Sequence, residues 1–359
     1  MSSVNSYPTE ILLKVFHHAV GDAPLLLGGT AVAFPISQVC QDWRQIALDS
    51  PALWEDVRVP FAAYKNNNPL MLEEVFARSG TRPLTVVFSQ LEPTRGGRLI
   101  DFWPFFRKMQ EYCSRFRAIY AILPTSGLYE LNRAIGRRAF PNLVHLHITQ
   151  SDNRAPVAMD FENAPALAVF HLETISYNSE YRNTSTSLRS MRFHQLRFVD
   201  IPVPVMRGLE ELTIVRSPLP FFNHAEPVPQ VALTALTLDG ITSSGYSDEL
   251  FWFLTSFDMP HLRSIELANL DDKFGFSSQL FRALCAPAEY PAVRSVKLRA
   301  IPLSYITPEF FQALPALETL VLVDWDAEPL LSLLRADITL CPALRELSVD
   351  GVSIRREFL

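Results

Sequence analysis

The chain has 359 residues, of which 48% are hydrophobic and 19% charged, so it contains ample apolar material for a folded core. Its net charge of −6 argues against non-sequence-specific nucleic-acid binding, which needs a basic surface. The 4 cysteines share no short spacing, so they predict neither a disulfide framework nor a zinc site and favour a reducing, cytosolic or nuclear compartment.

The first predicted element is a helix that begins at Pro8 and ends near Gly21. Proline suits the first turn of a helix, because its fixed φ is already helical and its missing N–H has no partner there. Glycine is the common residue at a helix C-terminus. The apolar residues between them recur at helical spacing and form one wide stripe: Ile11, Leu12, Val15, Phe16 and Ala19.

A second amphipathic helix follows a long connection from Asp22 to Pro35. Its apolar residues are Ile36, Val39, Cys40, Trp43, Ile46 and Ala47. Pro51 lies just beyond its end, and Leu53 and Trp54 add a third short apolar element. Three small helices bury only a marginal core, so a docked partner is a natural source of further stability.

These residues resemble the F-box. The family pattern runs Leu-Pro-x-Glu-Ile-Leu, then Val-Cys-x-x-Trp-Arg, then Pro-x-Leu-Trp. The matching segments of this chain are Pro8-Thr9-Glu10-Ile11-Leu12, Val39-Cys40-Gln41-Asp42-Trp43-Arg44 and Pro51-Ala52-Leu53-Trp54. Tyr7 stands where the family usually has Leu, and the connection between the helices is longer than in most of the family.

The resemblance implies that residues 1–60 form a three-helix module that docks the Skp-type adaptor of a cullin-based (SCF) ubiquitin ligase. The motif positions are the predicted adaptor-binding residues: Pro8, Ile11, Leu12, Val15, Val39, Trp43, Leu53 and Trp54. The sequence leaves open which of them contact the adaptor and which fill the small core of the module.

The connection between the two helices also has to be considered as a membrane segment. The stretch from Ala23 to Gln41 contains no charged residue, and it is long enough to form a membrane-spanning helix. Several prolines and glycines interrupt this stretch, however, and no basic cluster flanks it. The residues before it lack the apolar region of a secretory signal. We therefore predict no membrane association.

Residues 61–359 are organised by repetition of the pattern Leu-x-x-Leu-x-Leu. Copies begin at Leu143, Leu167, Leu196, Leu209, Leu233, Leu262, Val293, Leu317 and Leu344, and degenerate copies precede them at 83–88 and 116–122. Most spacings lie near the ~20–29-residue period of leucine-rich repeats. The step from Leu196 to Leu209 is shorter and leaves no room for a helix. Helices are predicted at 70–79, 99–113, 248–257, 278–284, 308–314 and 328–334.

The repeats resemble the leucine-rich repeats of F-box proteins, although they lack the Asn or Cys that usually follows the third leucine. The resemblance implies an α/β fold class. We expect a small three-helix N-terminal F-box (1–60) followed by an irregular right-handed leucine-rich-repeat solenoid with a parallel sheet (61–359).

In such a solenoid, the positions that flank the inward leucines face the open side of the sheet. That face leans acidic, with a basic spot at Lys297 and Arg299 that could also meet a phosphate. A mixed surface of this kind suits protein recognition, although a solvated face without a ligand is the alternative. The candidate substrate-binding residues are His145, His147, His171, Asp200, Glu266, Lys297 and Arg299.

Few residues of the sequence suggest catalysis or metal binding. His145 and His147 share one face of a strand with His171 on the next, and three imidazoles could bind a metal. No acidic or cysteine ligand is placed to complete that site, so surface histidines are the preferred interpretation. The sequence contains no glycine-rich phosphate loop and no recognisable nucleophile motif. We therefore predict no catalytic residue, no metal and no cofactor.

Together, the two parts predict a non-catalytic substrate-recognition subunit of an SCF-type ubiquitin ligase. The F-box would bind the Skp-type adaptor, and through it a cullin, while the solenoid would bind a protein substrate that the sequence does not identify. Two alternatives remain open: a leucine-rich-repeat scaffold whose F-box-like helices only cap the first repeat, and an enzyme with a histidine-based metal site.

Overall fold

A computed structural model describes most of the chain, in two compact units, Met1–Val169 and Phe170–Leu359. Most of the connection between the first two helices and the candidate residue Asp200 lie outside the described residues. The described residues are 7–21, 33–61, 70–90, 101–152, 162–174, 187–196, 203–219, 231–241, 249–255, 257–270, 278–279, 282–283, 290–301, 308–324, 328–336, 340–349 and 352–355.

The first unit combines a helical N-terminus with a parallel sheet. Its helices are α1 (Thr9–Gly21), α2 (Ala33–Gln38), α3 (Gln41–Leu48), α4 (Leu70–Arg78), α5 (Trp103–Glu111) and α6 (Thr125–Arg137), with short 3₁₀ helices at Pro51–Trp54 and Cys113–Arg115. Its strands are β1 (Asp56–Pro60), β2 (Leu84–Ser89), β3 (Phe116–Leu123) and β4 (His145–Gln150). Each of these strands pairs in parallel with the next in chain order. The following strand, β5 (Val169–Thr174), begins at the last residue of this unit.

The second unit continues the same alternation. Its further strands are β6 (Ser190–His194), β7 (Glu211–Val215), β8 (Ala235–Asp239), β9 (Ser264–Ala268), β10 (Ser295–Arg299), β11 (Thr319–Val323), β12 (Glu346–Val349) and β13 (Val352–Arg355). Its helices are α7 (Val203–Gly208), α8 (Glu249–Thr255), α9 (Pro308–Ala313) and α10 (Glu328–Ala336). Strands β6 to β12 pair in parallel in chain order, and β13 returns antiparallel to β12.

Alternate side chains of each strand form the core. On β8, for example, Leu236 and Leu238 are buried while Thr237 between them is partly exposed. Because neighbouring strands are in register, Leu236 lies beside Leu212 on β7 and Ile265 on β9. The apolar side chains of successive repeats therefore stack into continuous rows. The predicted mixed α/β architecture with a parallel sheet is confirmed, and strand order is compatible with a stacked repeat array.

Most of the predicted helices after residue 61 are confirmed as α4, α5, α8, α9 and α10, while only part of 278–284 lies within the described residues. The expectation that no helix fits between Leu196 and Leu209 is wrong, because α7 lies there. The preceding strand is β6, whose buried residues Met191 and Phe193 follow the buried Leu188. This copy begins at Leu188 and has Met and Phe at the positions where the pattern has Leu. The leucine pattern therefore predicted its start eight residues too far along the chain, at Leu196.

A left-handed backbone residue follows each strand from β6 to β11. Gly240 has φ of 59°, and the non-glycine residues with positive φ at these positions are Gln195, Arg216, Asn269, Ala300 and Asp324. The N–H of Arg216 donates to the carbonyl of Asp239, and the N–H of Gly240 donates to that of Ala268, at 2.8 and 2.9 Å. This conformation turns the chain out of the sheet while it extends the parallel hydrogen-bond ladder.

The position two residues after each of these strands is the one at which the sequence pattern lacks the usual Asn or Cys. Ile241, Leu270 and Ile301 occupy it and are buried. Burial of apolar side chains therefore accounts for the residue types at this position. In the repeat of β7 the residue is Ser217, whose Oγ donates to the carbonyl of Val215 and accepts the N–H of Leu196, both at 2.9 Å.

Ala300→Gly should raise the free energy of unfolding by about 0.5–1 kcal/mol, because alanine is strained at φ of 51° and glycine is not. The matched control is Ala316→Gly, in a turn where φ is not positive, which should lower stability. Urea denaturation measures both changes. A loss of stability in Ala300→Gly would contradict the left-handed turn.

Arg115 fastens the C-terminal end of α4 to the sheet. Its guanidinium donates to the carbonyl of Phe76 at 2.8 Å and to that of Arg82 at 3.1 Å, and it also bonds the hydroxyl of Ser79. Cationic donors at a helix C-terminus satisfy carbonyls that have no intrahelical partner, and they complement the helix dipole. Arg115 is thus a structural residue at the start of β3.

Arg115→Met should therefore lower the free energy of unfolding by about 2–3 kcal/mol, since it leaves these acceptors without their charged donor. The control is Arg117→Met, two residues along the chain at an exposed position, which should change stability by less than about 0.5 kcal/mol. Thermal and urea unfolding of both variants measures the difference, and equal losses would contradict the proposed cap.

Candidate protein-docking surfaces

The N-terminal module contains α1, α2, α3 and the 3₁₀ helix Pro51–Trp54, because the single second helix predicted from Ile36 to Ala47 is divided at Cys40 into α2 and α3. A few large side chains hold these elements together. Cys40 caps α3, because its sulfur accepts the N–H of Trp43 at 3.5 Å. This cap places Trp43 on the first turn of α3, where its ring centroid lies 4.8 Å from that of Phe16 on α1. Phe16 is buried and Trp43 partly so. The indole Nε1 of Trp43 is buried and has no hydrogen-bond partner among the described residues.

Trp54 joins the module to the first strand–helix repeat. Its indole N–H donates to the carbonyl of Ala47 at 2.7 Å, and the guanidinium carbon of Arg78 lies 4.6 Å from the centre of its ring. Beside it, Glu55 forms a 2.6 Å ion pair with Arg82. Strand β1 begins immediately afterwards, so no linker separates the helices from the sheet.

The structure divides the predicted adaptor-binding residues into two groups. Leu12, Leu53 and Trp54 are buried in the module, and Trp43 packs against Phe16. The exposed members are Pro8, Ile11, Val15 and Val39. The sequence could not make this division, because all of these residue types occur both in cores and in interfaces.

An exposed apolar stripe runs along α1. It consists of Ile11 and Val15, which are four residues apart and 45% and 52% exposed, and it is continued by Tyr7, which lies two residues before the helix begins and is 53% exposed. Val39, at the end of the neighbouring α2, is 61% exposed. The resemblance to the F-box marks Tyr7 only as a departure from the motif, whereas the structure shows that its side chain is exposed.

The sheet face of the second unit carries mutually paired charges. Lys297 on β10 lies beside Glu266 on β9, and their charged atoms are 2.7 Å apart. Arg299 reaches across Ala268 to Asp239 on β8, also at 2.7 Å. The Asp239 carboxylate accepts a further hydrogen bond from the Asn269 side chain.

These pairs change the interpretation of the basic spot. A phosphate at Lys297 or Arg299 would compete with the carboxylate of Glu266 or Asp239, which weighs against a phosphate site there. Further polar residues of this face include Arg192, His194 and Glu211, beside smaller or β-branched residues such as Thr213, Thr237 and Val321. The face can offer a shallow surface of mixed polarity to a protein.

The predicted histidines lie on neighbouring parts of the chain but not all in one unit. His145 and His147 share the partly exposed face of β4 in the first unit, and His171 lies on β5 in the second. The ring of His147 is 6.0 Å from that of Tyr120 on the paired strand. Burial and the nearby Arg117 lower the pKa of His145, so its imidazole is neutral at pH 7.

Metal-binding clusters and membrane-spanning helices are absent from the described residues. No group of three or more His, Cys, Asp or Glu side chains in this part of the chain could hold a metal ion. None of the helices found there has the length and apolar character needed to cross a membrane.

Comparison with known proteins adds no relative. Neither a scan against protein-family profiles nor a search of curated proteins found a match to this chain.

The division between core and surface predicts different effects for two neighbouring residues of α1. Leu12→Ala should lower the free energy of unfolding by about 2–4 kcal/mol, because it empties a buried site. Ile11→Ala should cost less than about 1 kcal/mol, since that side chain is almost half exposed. Urea denaturation of the full chain tests this. Similar losses for the two variants would contradict the orientation of α1.

Proposed function

We propose that this chain is a non-catalytic substrate-recognition subunit of an SCF-type ubiquitin ligase. Residues 1–60 act as an F-box that binds a Skp-type adaptor and, through it, a cullin. Residues 61–359 act as an irregular right-handed leucine-rich-repeat solenoid that binds a protein substrate. Such a complex works in the cytoplasm or the nucleus.

The observation that carries this proposal is the exposed stripe of Tyr7, Ile11 and Val15 together with Val39. These large apolar side chains are exposed on the same small helices whose sequence resembles the F-box. Isolated exposed apolar residues are common, but a row of them along one helix is typical of an interaction surface. In this mode of recognition, the exposed apolar face of a helix is buried against the partner protein.

The repeat array supports the second half of the proposal. Its sheet face presents paired charges beside partly exposed threonine and valine side chains, and such a mixture allows selective protein binding. No bond chemistry by this chain is required. The complex would accelerate ubiquitin transfer by raising the local concentration of substrate lysines near a bound conjugating enzyme.

One observation favours a second candidate, in which the helices only cap a binding scaffold. Repeat arrays need a terminal cap over their open apolar end. Trp54 and Glu55 attach the helical module directly to the first repeat, through Arg78 and Arg82. A cap, however, gives no reason for apolar side chains on the outward face of α1, and for this reason we prefer the adaptor-binding function.

Val15→Glu should abolish or reduce adaptor binding at least tenfold (about 1.4 kcal/mol or more), because the interface would bury an unpaired carboxylate. The measurement is a pull-down and titration of the purified full chain with a purified Skp-type adaptor. His17→Glu is the matched control, since it adds the same charge to an exposed position of the same helix.

The two functions give different results in this experiment. Binding by the wild type and by His17→Glu, with loss in Val15→Glu, supports the ubiquitin-ligase subunit. If the wild-type chain does not bind the adaptor, that function is excluded and the capped scaffold remains. Binding by Val15→Glu as tight as that of the wild type would place the adaptor elsewhere on the chain, and equal losses in both variants would contradict a specific role of the Val15 side chain.

A further inference from the structure

Helices α5 and α6 of the first unit present arginine and aromatic side chains on their outer sides. The inner face of α5 is formed by the buried Phe105, Phe106 and Met109. Trp103 is partly exposed, and Arg107, one turn further along α5, is exposed. On α6, the apolar residues Leu128, Leu131, Ala134 and Ile135 are buried.

The outward residues of the two helices meet at Trp103. Tyr129, Arg133 and Arg137 follow one another at intervals of four residues along α6 and are all exposed. The guanidinium carbon of Arg133 is 4.2 Å from the centre of the Trp103 ring, and that of Arg137 is 5.3 Å from it. We refer to the following residues as the arginine–aromatic surface: Trp103, Arg107, Tyr129, Arg133, Arg137 and Arg138.

The charges of this surface are poorly compensated. Glu130 forms a 3.3 Å ion pair with Arg133. Within the described part of the chain, no carboxylate lies within ion-pair distance of Arg107, Arg137 or Arg138. The guanidinium groups of Arg133 and Arg137 are therefore held close together beside one ring, on a chain whose net charge is −6.

Stacking prepares these arginines to bind carboxylates. A guanidinium group that lies over an indole uses its flat face for that contact and keeps the N–H donors along its edge. Those donors match the two oxygens of a carboxylate. The stacked side chains have also lost part of their rotamer freedom before a ligand arrives, which reduces the entropic cost of binding.

We propose that the arginine–aromatic surface binds an acidic segment of a protein partner. Arg, Trp and Tyr are the residue types that most often dominate protein–protein binding energy, and this surface combines all three. A nucleic acid is a poorer fit, because the negative net charge of the chain opposes a long polyanion. The inference is independent of the proposed adaptor binding, since it uses different helices and different residues.

The test uses the full chain and a fluorescein-labelled oligoglutamate peptide, with an oligoglutamine peptide of equal length as the reference ligand. Fluorescence anisotropy at low salt should detect saturable binding of the glutamate peptide, which weakens as salt is raised. The double variant Arg133→Gln/Arg137→Gln should bind about tenfold more weakly, because it removes two charge-assisted contacts. Circular dichroism checks that the variant is folded.

The control Arg294→Gln/Arg345→Gln removes the same number of charges from exposed arginines that lie near Glu318 in the second unit. It should bind the glutamate peptide like the wild type. Absence of glutamate-peptide binding, or equal weakening in both double variants, would overturn the proposal. Tighter binding of a phosphoserine peptide would overturn the choice of carboxylate, and tighter binding of single-stranded DNA would overturn the choice of a protein partner.

Discussion

The described structure depends on a burial constraint: one strand and one helix cannot cover their own apolar faces. Each repeat is completed only by its neighbours, and this requires the strands to be parallel and in register. Leu212, Leu236 and Ile265 illustrate the result, because they occupy one row across β7, β8 and β9 and are all buried. A shift of one residue would move each of them to the polar face. Register is therefore set by the apolar pattern.

The same constraint decides what remains for function. The rows of leucines are buried between neighbouring repeats. The other face of the sheet carries threonines, valines and charged residues that pair across strands, as Lys297 does with Glu266. The N-terminal helices have no such complete cover. Phe16 on one side of α1 packs against Trp43 of α3 in the core of the module, while Ile11 and Val15 are exposed on another side of α1. The apolar face of the sheet is covered, whereas the apolar residues on the outside of α1 are not, and this difference is the physical basis for proposing a docked partner.

Several parts of the fold were accessible from the sequence because they depend on local pattern. Copies such as the one beginning at Leu262 have both the spacing and the leucines, and β9 lies where that copy predicts. The copy at Leu188 was missed, because Met191 and Phe193 fill the same buried volume without matching the leucine pattern. The left-handed residues at strand ends were also missed, since Gln195, Arg216 and Ala300 have no residue type in common and backbone context imposes their positive φ.

The sequence by itself determined the alternation of strands and helices and the apolar rows, because these follow from periodicity along the chain. It also supplied the F-box-like motif. Only the tertiary structure decided which motif residues are buried, since Leu12 and Ile11 are both apolar and only packing distinguishes them. The pairing of Arg299 with Asp239, and the stacking of Arg133 on Trp103, were likewise decided there. Each of these contacts joins residues far apart in the chain, and no local pattern encodes which distant side chain a charged residue will meet.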